Sequence, residues 1–282
     1  MRWSFQNYIM FKSSRKKLIA IGCSFTEHLL TSDMSPDIDH DFLRWPQHLA
    51  DMLDMECVNL GKSGSGNDQI LAKALDVMLR EKDVGLVVLM WSEWQRIGFQ
   101  RWKNWNIWHQ VTPHETDQDH SFACASKLFD LQNPHHATRN ALRTFIHAEK
   151  ILRDVPYMFI QGTHGIFYYN VETLKTISCK EGTPYENMKF HLVNDSRHQS
   201  TKEMFACHDY FDYIENNVIG KFIGWPIMKE LGGYCIADVI EEPDPSRTTL
   251  TISKDDTHPN AAGHKIIAEL LYEQYKEIYN EH

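Results

Sequence analysis

Three short segments contain residues whose types and spacing suit nucleophilic chemistry. The first is Gly22-Cys23-Ser24-Phe25-Thr26, directly after an apolar run from Lys17. A serine at a strand-to-helix turn is exposed, and its backbone N–H can point to where an oxyanion would form. Read alone, Ser24 equally suits the N-cap of a helix. The second is Gly61-Lys62-Ser63-Gly64-Ser65-Gly66-Asn67, where glycines let backbone amides approach a ligand. It fits neither GxxxxGK[ST] nor GxGxxG, so it is not a phosphate loop of either kind. The third is Asp255-Asp256-Thr257-His258-Pro259-Asn260. A carboxylate three residues before a histidine can hold the ring through Nδ1, which leaves Nε2 to act as a general base. A surface loop with Asn260 capping the next helix is the plainer reading of that segment.

The elements that must position these segments follow from hydrophobic patterning. Lys17 to Cys23, Cys57 to Leu60, Val84 to Met90 and Val155 to Gln161 are short apolar runs that read as buried strands. Between them, 42–55, 67–81 and 139–154 carry apolar residues at helical spacing, and a terminal helix runs from Asn260 to Tyr279. A weakly helical stretch covers 201–219, and Ile236 to Ile240 reads as a last strand or edge. Strands alternating with helices imply βαβ units, a parallel sheet and a three-layer α/β fold. In such a sheet, function sits in the loops beyond the C-terminal strand ends, where the first two segments fall, and the third lies just before the last helix.

The expected organisation is a short extension at 1–16 followed by one domain at 17–282. That domain would carry irregular insertions at about 97–136 and 165–220. Within the first insertion, Trp102, Trp105, Trp108 and His109 recur at a spacing of about three. This suits either one side of a short helix or flat faces for a sugar ring. Trp94, Trp105 and His164 are candidate substrate contacts. Glu27 and His28 read as the solvated start of a helix.

Composition excludes several classes. Lys and Arg number 29 against 38 Asp and Glu, a net charge of −9, which disfavours nucleic acid and anionic membranes as partners. The longest apolar run, Val84 to Trp91, has eight residues, against roughly 20 for a bilayer span. The N-terminus shows no continuous apolar stretch of signal-peptide type. Six cysteines, far apart and without a CxxC pair, read as reduced thiols, and the expected compartment is the cytoplasm. Sixteen histidines include no HExxH and no close Cys/His cluster along the chain, so the expectation is no metal and no cofactor.

Taken in order, the three segments resemble the blocks of the SGNH (GDSL-like) hydrolase superfamily, over 17–94 and about 250–279. Gly22-Cys23-Ser24-Phe25-Thr26 matches the Gly-Asp-Ser block except at Cys23. Asn59-Leu60-Gly61-Lys62-Ser63-Gly64 matches Asn-x-Gly-x-x-Gly, and Asp255 to Asn260 matches Asp-x-x-His-Pro-Asn in full. The resemblance implies a flavodoxin-like sandwich and a serine esterase or acyl hydrolase acting on a small acyl ester, for example acetyl on a carbohydrate. It implies Ser24 as nucleophile, His258 as base and Asp255 as the residue orienting it. The Ser24 and Gly64 N–H groups would be oxyanion donors. The family's third block, with its asparagine donor, is absent: Met90-Trp91-Ser92-Glu93-Trp94-Gln95 stands there, with Ser92 as a substitute donor and Trp94 or Gln95 as others. An acyltransferase with the same triad, and a non-catalytic binding protein of the same fold, are the competing readings.

Overall fold

The structure, a computed structural model, describes residues 15–28, 40–101, 104–111, 134–165, 175–178, 189–192, 207–228 and 231–279. Five parallel strands form its centre: β1 (Lys17–Ile21), β2 (Glu56–Asn59), β3 (Val84–Trp91), and, after the hairpin β4 (Ile97–Arg101) and β5 (Asn104–Val111), β6 (Tyr157–Gln161). A second hairpin, β7 (Lys175–Ser178) and β8 (Lys189–Leu192), precedes the fifth strand of the sheet, β9 (Phe222–Ile223). The sheet order is β2-β1-β3-β6-β9 with every pairing parallel, the flavodoxin-like arrangement. The chain reverses direction across the sheet between β1 and β3, which opens a crevice at their C-terminal ends.

Because the sheet is covered on both faces, alternate residues of each strand enter two different cores. Ile19 and Ile21 of β1, with Val87, Leu89 and Trp91 of β3, face α2 (Asn67–Arg80), α3 (Pro134–Leu152) and α4 (His208–Asn217). Leu18 and Ala20, with Leu86, Val88 and Met90, face α1 (Trp45–Met52), α5 (Ile236–Glu241) and α6 (Ala261–Tyr279). Three layers result, as the patterning implies. Pro46 sits in the first turn of α1, where its missing N–H has no partner to lose.

Three expectations are corrected. Residues 236–240 form a helix and not a strand: Ile236 and Ile240, four apart, are both buried, and the Asp238 carboxylate accepts the Cys235 N–H at 3.0 Å to cap the first turn. The sheet's fifth strand is instead the two-residue β9, too short to show a period. The insertions are not wholly irregular, since each contains a hairpin; Trp105, Trp108 and His109 lie on β5 and not on a helix. Trp102 and most of both insertions and the N-terminal extension lie outside the described residues, as does the side chain of Trp105. Among the described residues, no helix is long and apolar enough to cross a membrane, and Cys23, Cys57, Cys207 and Cys235 form no disulfide.

Candidate active site

The loop after β1 is built by bonds it makes to itself and to the loop after β2. Thr26 and Glu27 both donate their N–H to Cys23 O, at 3.0 and 3.1 Å, which folds residues 23–27 into a tight turn with Ser24 at its bend. Asn59, the last residue of β2, spans the two loops. Its amide donates to Thr26 O at 2.6 Å, while its Oδ1 accepts the Gly61 N–H at 2.9 Å. Lys62 N–H reaches Gly22 O at 3.0 Å, and Ser63 N–H reaches the Glu27 carboxylate at 2.8 Å. Glu27 therefore ties the loops together in place of the solvated helix start expected of it. This lacing leaves no room at Gly61, where a Cβ would stand 2.6 Å from the Thr26 carbonyl carbon. Gly64, at the crest of the second loop, has φ +74°, a conformation costly for other residues. Among the described residues, neither the Ser24 N–H nor the Gly64 N–H is taken by a hydrogen bond.

The segment opposite is anchored by side chains. Asp244 Oδ2 accepts the N–H groups of Thr248, Thr249 and Leu250 at 2.8, 2.6 and 2.9 Å, and Oδ1 accepts the Ser246 hydroxyl. These donors favour the charged form, so the Asp244 carboxyl is held far below the usual range. Asn260 caps α6 by accepting from Ala262 and Gly263 N–H, and its amide donates to Thr249 O and Thr251 O, both at 2.9 Å. The bridge between Thr251 and Pro259 closes the loop. His258 is thereby presented to Ser24.

The Ser24 hydroxyl lies 2.8 Å from His258 Nε2. His258 Nδ1 lies 2.6 Å from the Oδ1 of Asp256, not of Asp255. That is a correction with a local cause. Asp256 Oδ1 also accepts the His258 N–H at 3.1 Å, a turn in which an aspartate binds the backbone two residues on. The turn directs the Asp256 side chain inward, 1% exposed, and leaves Asp255 exposed to solvent. An ionised carboxylate only accepts, so the proton sits on Nδ1 and Nε2 is left to accept from Ser24. The edge of the Phe25 ring packs on the imidazole at 5.4 Å between centroids.

Of the other candidates, Ser92 is fully buried. Its N–H donates to Asn67 Oδ1 at 2.9 Å, its carbonyl accepts from Gln161 at 2.9 Å, and its hydroxyl is buried without a partner. Trp94 is a core residue and neither the substrate contact nor the oxyanion donor expected of it: it is 4% exposed, packs on Phe145 and donates Nε1–H to Gln161 at 3.1 Å. Its N–H is also bound to Gly165 O at 2.7 Å. His164 lies in the turn after β6, half-buried, with Nδ1 3.4 Å from Cys235 Sγ. The sequence motifs contain Asp256 and Asn59 but do not by themselves assign the first to the imidazole or the second to the joining of the two loops. Asp256 was legible as an Asp-x-His pair, and Asn59 as a strand-end asparagine two residues before a glycine.

Behind the site, His264 of α6 is buried. Trp45 N–H meets its Nδ1 at 3.3 Å and the Arg44 guanidinium faces Nε2 at 3.4 Å. Burial, with the Arg44 charge, lowers its pKa to about 3, so the ring is neutral. A pocket between α2, the segment after β3 and α3 has a mixed lining, polar at Asn67, Asp68, Arg96, His136, Asn140 and Thr144 and apolar at Trp94, Ile97, Ala137 and Ala141.

No protein-family model matches the chain, and neither does any curated protein. Solved structures similar to it include a member of the lipolytic protein G-D-S-L family from Veillonella parvula, at 11% identity and TM-score 0.42, covering 95% of this chain and 100% of that one. A carbohydrate acetylesterase family member from Sinorhizobium meliloti matches at 11% identity and TM-score 0.45, covering 94% and 99%. A catalytic mutant of the acetylxylan esterase Axe2 from Geobacillus stearothermophilus matches at 14% and TM-score 0.42, covering 92% and 93%. The architecture of this chain stands on its own strand order and register.

Proposed function

We propose that this chain is a serine esterase that cleaves a small acyl ester of a polar alcohol, with acetyl on a carbohydrate as the leading class. The observation that carries the reading is the relay of 2.8 and 2.6 Å from Ser24 through His258 to a buried carboxylate at the C-terminal edge of a parallel sheet. Ser24 Oγ attacks the ester carbonyl carbon as its proton passes to His258 Nε2. Asp256 stabilises the imidazolium and holds its tautomer. The untaken N–H groups of Ser24 and Gly64 meet the oxyanion. Collapse returns the proton from Nε2 to the departing alcohol and leaves an acyl-enzyme on Ser24 Oγ. Water, deprotonated by the same nitrogen, then releases the acid and restores the serine.

The test is hydrolysis of acetylated sugars and of chromogenic esters of rising chain length, together with labelling by a fluorophosphonate. Wild type is expected to hydrolyse acetyl esters best. Ser24→Ala and His258→Ala should each lower kcat at least roughly 10³-fold with folding intact, and the label should sit on Ser24 alone. Label on another residue, or equal activity in Ser24→Ala, overturns the reading.

A further inference from the structure

Cys235 and Asp238 lie in the first turn of α5, and His164 lies 71 residues earlier in the turn beyond β6. The fold brings them together. Cys235 Sγ stands 3.4 Å from His164 Nδ1 and 3.1 Å from Asp238 Oδ2, and one donor atom from each residue falls within 4.8 Å of the others. Around a tetrahedral ion with metal–sulfur near 2.3 Å and metal–nitrogen or metal–oxygen near 2.0–2.1 Å, such atoms stand roughly 3.3–3.6 Å apart. The Cys235–His164 pair is already at that spacing, and the Cys235–Asp238 pair would open by a few tenths of an ångström to admit the ion. Cys235 is 1% exposed and Asp238 4%, while His164 is half-buried and gives an ion a way in. The backbone holds the two segments in register, with Ala237 N–H bound to Gly162 O at 3.0 Å.

We propose that His164, Cys235 and Asp238 form a three-ligand site for a zinc-class divalent ion, with the fourth position open to water on the His164 side. A thiolate, an imidazole and a carboxylate are a borderline-soft donor set that suits Zn2+ or Co2+ and not Mg2+ or Ca2+. On binding, the Cys235 S–H bond breaks, its proton leaves to solvent, and the sulfur's electron pair forms the bond to the metal. No electron changes hands. The Cys235 N–H, 3.0 Å from Asp238 Oδ2, remains to orient that carboxylate from outside the ligand set. The ion would clip the β6 turn to α5, the helix that leads into the Asp244 loop and so to His258. The site does not depend on the esterase reading.

The experiment is a Co2+ titration of the chelator-stripped full chain, followed by absorption. One Co2+ per chain is expected. It should give a thiolate-to-cobalt charge-transfer band in the near ultraviolet, release one proton, bind more tightly as pH rises, and be displaced by Zn2+. Cys235→Ser should abolish the band, and His164→Ala should weaken binding at least roughly tenfold, the smallest loss expected for a change near a metal. His164→Ala alters a half-buried turn residue and keeps the test decisive if Cys235→Ser does not fold. No thiolate band in wild type, a band that survives Cys235→Ser, or unchanged affinity in His164→Ala overturns the proposal.

Discussion

The two walls of the candidate site are built by different physics. On the Ser24 side, backbone meets backbone: residues 22–27 and 59–64 are laced by main-chain bonds and by Asn59, at a separation only glycine permits. On the His258 side, side chains hold the backbone: Asp244, Asp256 and Asn260 each accept or donate several bonds across residues 244–263. The first kind of wall depends on volume and φ, and is indifferent to protonation. The second depends on ionised carboxylates, and therefore on pH.

The largest effect expected separates Asp256 from its neighbour. Asp256→Asn should lower kcat roughly 10²–10⁴-fold with little change in Tm, because the amide can no longer fix the tautomer. Asp255→Asn should leave kcat within about twofold. The reverse ranking in steady-state kinetics would break the assignment. Next, Gly61→Ala forces its Cβ to 2.6 Å from the Thr26 backbone. It should reduce stability by about 1–3 kcal/mol in urea melts and kcat with it, whereas Lys62→Ala, which keeps the backbone bond, should do neither.

The comparison sharpens as a pH profile. Asp244 has its carboxyl depressed in the folded state, so its contribution to stability is present above the unfolded value of about 4 and is lost as pH falls through the folded value. His264, also depressed, is neutral when folded and protonates near 6.5 when unfolded. Stability should therefore fall from about pH 6.5 toward 3, by up to about 1.4 kcal/mol per pH unit from this residue. His264→Gln should flatten that slope in Tm against pH, and Asp244→Asn should flatten only the part below about pH 4. The smallest effect expected is that of Ser92→Ala. Its hydroxyl is fully enclosed, so kcat should change less than about threefold, and a loss of 10²-fold or more would make Ser92 an oxyanion donor after all.

Much of the frame was legible without coordinates. Lys17–Ile21, Val84–Trp91 and Tyr157–Gln161 are apolar on both alternating faces, and only a sheet covered on both sides buries such strands. The position of Ser24 beyond β1 and of His258 before α6 followed from that frame. Less was legible where a segment was too short for periodicity. Phe222–Ile223 is a strand because β6 offers it an edge, and 236–241 is a helix because Asp238 caps it.

The amino-acid order by itself determined the four longer strands of the sheet, which helix faces are apolar, and that Ser24 and His258 lie at one edge of that sheet. Tertiary structure alone decided the rest. Asp256 and not Asp255 meets the imidazole because a one-residue difference within a turn reverses the direction of a side chain. Trp94 is core because Phe145 and Gln161 close over it. His164, Cys235 and Asp238 come within 4.8 Å although 71 residues separate the first two. Local pattern records the direction each backbone prefers, but contacts between distant segments exist only once hydrophobic burial has brought the layers together.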